Sequence, residues 1–149
     1  MKIIVLGGDG FCGWASSLRL SRRGHSVYIV DNLSRRKIDK NLGVTSLTPI
    51  SSIEKRVNTW NSINNKKIKY FNLDIAKDIS RLDDLIKKIK PDTIVHFAEQ
   101  RSAPYSMKDI STRNYTISNN LLTNNNVLYL IAKNNRQIHF IHLGTMGVY

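Results

Sequence analysis

A few positions in this sequence carry groups that could do chemistry. Gly7, Gly10 and Gly13 punctuate the run Gly7-Gly8-Asp9-Gly10-Phe11-Cys12-Gly13. Glycine adopts positive φ at little cost, so the run can turn tightly. Without side chains it also lets phosphates reach main-chain N–H groups at the start of a helix. Asp31 follows about 20 residues on, where a dinucleotide fingerprint expects a carboxylate to accept the hydroxyls of a ribose. Its charge repels a 2′-phosphate and so favours NAD over NADP. Arg35 and Arg36 pull the other way, because arginine can bind that phosphate. Arg101 is a forked donor suited to a phosphate or another oxyanion. It could equally cap a helix or pair with Glu99. Thr145 could hydrogen-bond a sugar hydroxyl, or simply close a strand.

The other reactive residue types read as structural. Cys12 is the single cysteine, which excludes an internal disulfide. It fills the glycine turn, with a reactive thiol as the alternative because a helix N-terminus lowers thiol pKa. His139 and His142 are oddly spaced on a strand and should face opposite ways, so no metal site is expected. His96 reads as a satisfied core histidine and His25 as a turn residue. No Ser-His-Asp or paired-carboxylate arrangement stands out.

Elements that position these residues follow from the pattern. Met1 to Leu6 is a short apolar strand. A helix runs from about Phe11 to Arg23, and Gly24 is its stop. Val27 to Val30 is the second strand. The stretch from Leu33 to Pro49 is expected to be irregular. Ser51 and Glu54 form a Ser-x-x-Glu capping box, and Ile53, Val57 and Trp60 recur at helical spacing, so a helix covers about Ser52 to Ile63. Ile68 to Leu73 is the third strand. Leu82, Leu85, Ile86 and Ile89 mark one helix face, ended by Pro91. Thr93 to Phe97 is the fourth strand, followed by the loop Ala98 to Pro104. Ser106 and Asp109 suggest a cap, and one or two helices reach Asn134, weakened in the middle by Asn124, Asn125 and Asn126. Ile138 to Leu143 is the fifth strand.

Alternating strands and helices predict an α/β class, a Rossmann-type doubly wound parallel sheet with five strands. At 149 residues the chain reads as one domain, a dinucleotide-binding domain over 1–149. A full dinucleotide fold has about six strands. The expectation is therefore a truncated chain, lacking its C-terminal strands and a substrate-binding domain. The hydrophobic share is 41% and the charged share 23%, both ordinary for a globular protein. No run of about 18 apolar residues is present, so no membrane span is expected. The first strand begins at once, leaving no room for a leader. The expected location is cytoplasmic, or plastid stroma if the chain is organelle-encoded or processed. The formal net charge of +12 suits anionic ligands such as nucleotides. The basic residues are scattered and not interleaved with aromatics, so no nucleic-acid partner is expected.

The longer motifs carry a resemblance that covers essentially the whole chain in order. Gly7 to Trp14, Asp31-Asn32-Leu33, Ser46 to Ile50, His96-Phe97, Glu99 to Met107 and Leu143 to Gly147 resemble the UDP-sulfoquinovose synthases, a branch of the extended short-chain dehydrogenase/reductases. The Glu-Gln-Arg-Ser-Ala-Pro-Tyr-Ser-Met stretch is far more specific than the glycines. The resemblance implies oxidation of UDP-glucose at C4 by tightly held NAD. Water is then lost across C5–C6 through a 4-keto-5-ene, a sulfite-derived nucleophile adds at C6, and the hydride returns. The product would serve sulfolipid or glycan synthesis. Implied partners are UDP-glucose and sulfite or a sulfite donor protein, with a homodimer for the full-length protein.

By the same resemblance, Phe11 and Cys12 line the diphosphate turn, Asp31, Asn32, Leu33 and Ser34 hold the adenosine ribose side, and Asp74 and Ile75 flank adenine. Asn119 contacts the cofactor. Arg101 touches cofactor and substrate, and Thr145 orients the sugar as a catalytic residue beside a tyrosine base. That base belongs to a Tyr-x-x-x-Lys motif, and none follows Thr145, so these residues alone are expected not to turn over. The sequence departs from the family at Thr123-Asn124-Asn125, where Gly-Thr-Leu is usual, implying looser packing of that helix. It departs again at Val148, where glutamate is common. Other readings are a sugar epimerase or 4,6-dehydratase, a non-catalytic NAD-binding module, and a basic nucleic-acid binder.

Overall fold

The computed structural model describes residues 1–65 and 67–144. The chain alternates strand and helix: β1 (Lys2–Leu6), α1 (Phe11–Arg22), β2 (Ser26–Asp31), α2 (Ser34–Asn41), α3 (Ile53–Ile63), β3 (Ile68–Asn72), α4 (Ile79–Ile89), β4 (Thr93–His96), α5 (Ala103–Ser106), α6 (Ile110–Asn134) and β5 (His139–His142). The strands form one five-stranded sheet in the order β3-β2-β1-β4-β5. Every pairing is parallel, with Ile4 opposite Tyr28 on one side and Ile94 on the other.

Successive residues of β1 feed opposite faces, as strand geometry requires. Ile3 and Val5 join Val27, Ile29, Ile53, Val57 and Val95 beneath α1 and α3. Ile4 and Leu6 join Val30, Ile94 and the apolar stripes of α4 and α6 (Leu82, Ile86, Val127, Leu130). Both faces are therefore covered, and β1 is buried on both sides. Helix α1 meets the sheet through small residues, Gly13, Ser17 and Ser21, and Ser17 Oγ donates to the Gly13 carbonyl at 2.7 Å. Gly24 ends α1 at φ +88°, as expected.

Four local expectations change. The stretch after Asn32 is not wholly irregular, because α2 forms there. Asn32 Oδ1 accepts from the Ser34 N–H at 2.9 Å, Leu33 takes a left-handed φ of 59°, Arg35 and Asp39 pair one turn apart at 3.0 Å, and Ile38 is buried. With one buried apolar side chain among eight residues, α2 has too little periodicity to be seen in advance. The cap of α3 is Ser52, accepting from the Lys55 N–H, and not Ser51. Ser106 ends the short α5, which Ser102 caps. Asp109 caps α6 in a reciprocal box with Thr112, and α6 runs unbroken for 25 residues. Two of its three mid-helix asparagines are tied down: Asn124 Nδ2 donates to the Asn120 carbonyl at 3.0 Å, and Asn126 Nδ2 donates to the Ile75 carbonyl at 2.9 Å. At the departure noted above, Thr123 is buried.

Candidate dinucleotide-binding site

In an open α/β sheet a ligand lies beyond the carboxyl ends of the strands, where the strand order reverses. Here that point lies between β1 and β4. A cleft of about 890 Å³ opens there, within the ~300–1,000 Å³ usual for ligand sites.

The glycine turn forms its floor. Gly7 has φ +79°, and a Cβ there would sit 2.7 Å from main-chain atoms of Phe97 and Ala98. A Cβ on Gly13 would sit 2.1 Å from the Gly7 carbonyl oxygen. Turn and helix are thus in contact, backbone on backbone. Gly10 is the N-cap of α1 and offers no side-chain cap, and the first turn carries no acidic residue. The first N–H groups of a helix have no partner within it. At α1 they belong to Phe11, Cys12 and Gly13, which line the cleft, with Phe11 and Cys12 exposed.

The wall beyond β2 carries Asp31, Asn32 and Ser34. Asp31 is held by two main-chain donors: Asp9 N–H to Oδ2 at 2.9 Å and Leu33 N–H to Oδ1 at 2.8 Å. Burial raises the Asp31 carboxyl above its usual range, against those bonds. Leu33 departs from its expectation: it packs against the core beside α3 and does not line the cleft, which it serves through the N–H that holds Asp31. Asp74 and Ile75 line the next part of the wall. Asp74 Oδ1 accepts from the Ala76 N–H at 3.1 Å, and Asn126 fixes Ile75 from α6. Arg101 and Asn119 form the far rim. The loop that bears Arg101 is clamped to α6: the Gln100 N–H donates to Asn120 Oδ1 at 2.8 Å and Asn120 Nδ2 returns to the Gln100 carbonyl at 2.9 Å. Glu99 does not pair with Arg101. It accepts from Asn124 and meets His142 Nε2 at 2.8 Å. Thr145 and Val148 lie outside the described residues.

His96 differs from its expectation. It is fully buried, and Nδ1 accepts from the Ala98 N–H at 3.1 Å. Its Nε2 has no partner among the described residues, so within them the ring is only half satisfied. It stacks on His142 with centroids 5.3 Å apart. Burial pulls its pKa down to about 4.

The sequence reading missed Asp9. It lies in the glycine turn, is 4% exposed and draws three arginines. Arg36 grips it with Nε at 2.7 Å and Nη2 at 2.8 Å. Arg56 bonds to Oδ1 and stacks over Trp14 at 4.3 Å. Arg35 Nη2 stands 3.7 Å away. Burial alone would raise the Asp9 carboxyl, but the Arg36 hydrogen bonds and the three positive charges hold it below its usual range. A carboxylate set in a tight glycine turn was itself the signal, since once buried it must be neutralised locally. A Tyr-x-x-x-Lys spacing also went unremarked, at Tyr129–Lys133 on α6. Lys133 Nζ pairs with Asp83 of α4 at 2.7 Å, and neither residue lines the cleft.

Comparison with known proteins agrees with this geometry. The chain is 48% identical over 148 residues to the chloroplastic UDP-sulfoquinovose synthase of Spinacia oleracea, covering 99% of this chain and 30% of that protein. It is 40% identical over 149 residues to the UDP-sulfoquinovose synthase of Sulfolobus acidocaldarius, covering 100% and 38%. The chain thus spans about a third of the length of these relatives. Among solved structures, UDP-glucose 4-epimerase from Bifidobacterium longum, in complex with NAD+ and UDP, matches with a TM-score of 0.70 at 21% identity over 94% of this chain and 36% of that one. Pal from Bacillus thuringiensis matches with a TM-score of 0.75 at 24% identity over 100% and 40%. At these identities the structural matches speak for the fold. Among the described residues, no helix is long and apolar enough to cross a membrane. The model of the NAD dependent epimerase/dehydratase family matches residues 3–149, and the chain belongs to that family.

Proposed function

We propose that these residues form the NAD-binding part of a sugar-nucleotide enzyme that makes UDP-sulfoquinovose from UDP-glucose and a sulfite-derived nucleophile. The observation that carries this reading is the pairing, in one cleft, of the glycine-rich turn at α1 with the half-buried carboxylate of Asp31. The cradle fits the cofactor: glycine at positions 7 and 13 lets the turn, the start of α1 and the loop after β4 close on one another main chain to main chain, where any Cβ would clash. NAD, when bound, supplies a hydride acceptor and donor.

The chain's own residues bind and orient. The N–H groups of Phe11 and Cys12 face the diphosphate, aided by the positive end of the α1 dipole. Asp31 accepts the ribose hydroxyls, while Asp74 and Ile75 flank adenine. Asn119 and Arg101 hold the far end, with Arg101 reaching toward the sugar nucleotide. Thr145 would orient the sugar. The two UDP-sulfoquinovose synthases favour the sulfonate chemistry over epimerisation, because the identity to them is 48% and 40%. We further propose that residues 1–149 bind NAD without turning over. Two experiments test the reading. Calorimetry of NAD on the folded chain should show binding, and its absence would refute the site. The longer protein carrying this sequence should form UDP-sulfoquinovose from UDP-glucose only with a sulfite source. UDP-galactose formation independent of sulfite would establish an epimerase instead.

A further inference from the structure

We propose that Asp9 sets the choice between NAD and its 2′-phosphorylated form, by occupying the arginines that flank Asp31. This rests on the reading of the cleft as the dinucleotide site. Three guanidinium groups stand on the Asp31 side of the cleft, and Arg35 and Arg56 line it. Left free, such a cluster would be a phosphate site, because arginine binds that group through paired donors. Each arginine instead has a carboxylate. Arg36 is bidentate on Asp9, Arg56 shares the same carboxylate, and Arg35 is bonded to Asp39 at 3.0 Å with Asp9 close by. Among the described residues the buried Nε atoms of Arg35 and Arg56 have no partner, so both keep donor capacity that Asp9 and Asp39 do not use. The Asp9 N–H also holds Asp31 Oδ2 at 2.9 Å. One residue thus aims the ribose carboxylate and neutralises the cations beside it. Removing only the Asp9 charge should convert the cluster into a 2′-phosphate site.

The test measures Kd for NAD and for NADP by calorimetry, on the wild-type protein, Asp9→Asn, Asp9→Asn with Arg56→Gln, and Asp31→Ser. Asp9→Asn should shift the NADP-to-NAD affinity ratio at least about tenfold toward NADP, with the steep salt dependence of a phosphate contact. Adding Arg56→Gln should reverse most of that shift, because Arg56 is the cleft-lining arginine that Asp9 holds. Asp31→Ser alone should leave NADP weak, because Asp9 still occupies the arginines. An unchanged ratio in folded Asp9→Asn overturns the proposal. So does Asp31→Ser binding NADP as well as NAD, and that arm decides the matter if Asp9→Asn does not fold. Wild-type protein that binds no NAD would instead overturn the cofactor site itself.

Discussion

Gly13→Ala should abolish useful NAD binding while leaving most of the fold in place. The added Cβ falls 2.1 Å from the Gly7 carbonyl oxygen, 2.7 Å from Gly8 Cα and 2.9 Å from the Gly7 carbonyl carbon. Ordinary contact begins at 3.4 Å, and all three neighbours are main chain, so no side chain can swing aside. Turn and α1 must part by roughly 1 Å, enough to misalign the N–H groups that meet the diphosphate. Losing two charge-assisted main-chain bonds at about 1.5 kcal/mol each weakens binding by about 3 kcal/mol, or roughly 100-fold. Overpacking should cost the fold about 1–3 kcal/mol. Gly24→Ala is the control. It has open space around it but φ +88°, so it should cost stability by about 1–2 kcal/mol and leave NAD affinity unchanged. Calorimetric titration with NAD, paired with urea melts of both variants, checks this. Folded Gly13→Ala that binds NAD as tightly as wild type would refute the reasoning.

Three further outcomes are expected. Burial pulls His96 from 6.5 to about 4, so between those values the unfolded chain binds more protons than the folded one. Stability should be full above pH 6.5 and fall as pH drops toward 4, by about 3 kcal/mol. Urea melts across pH should show this, and His96→Gln should flatten it, whereas an unaltered slope would contradict burial as the cause. Asn126→Ala strips the Ile75 and Ala76 carbonyls of a donor. It should cost about 1–3 kcal/mol of stability and loosen the adenine flank, read as weaker NAD binding in the same melts and titrations. Arg101 is exposed on the rim, so Arg101→Ala should leave stability within about 0.5 kcal/mol. It should weaken dinucleotide binding roughly tenfold by calorimetry.

The sheet was readable because its signals are local and strong. Ile3 to Leu6 is apolar on both faces, which only a doubly covered strand needs, and the glycines follow directly. The stripe Leu82, Leu85, Ile86 and Ile89 likewise announced α4. Helix α2 stayed hidden because its stability comes from an Asn32 turn, one ion pair and a single buried isoleucine, which leave no periodic pattern. The asparagines of α6 looked like a weakness because propensity counts the residue and not its partner. In the folded chain Asn126 finds carbonyls 51 and 50 positions back along the sequence. Motif and resemblance made Gly7, Gly10 to Gly13, Asp31, Asn32, Ser34, Asp74, Ile75, Arg101 and Asn119 legible as cleft-lining residues, but also pointed to Leu33, which does not line the cleft. The Asp9 cluster was not, since Arg36 and Arg56 reach it across 27 and 47 positions, and no spacing rule reports such a contact. The orphaned Nε2 of His96 is likewise a property of packing, visible only once Ala98 and His142 surround the ring.

The central claim is that main-chain amides at the start of α1 hold a dinucleotide's diphosphate while Asp31 holds its ribose. A crystal structure of the protein grown with NAD tests it most directly. Diphosphate oxygens should lie within hydrogen-bond distance of the Phe11 and Cys12 N–H groups, with a ribose hydroxyl on the Asp31 carboxylate. A diphosphate seated away from that turn, or an adenosine on the far side of the sheet from Asp31, would contradict the account.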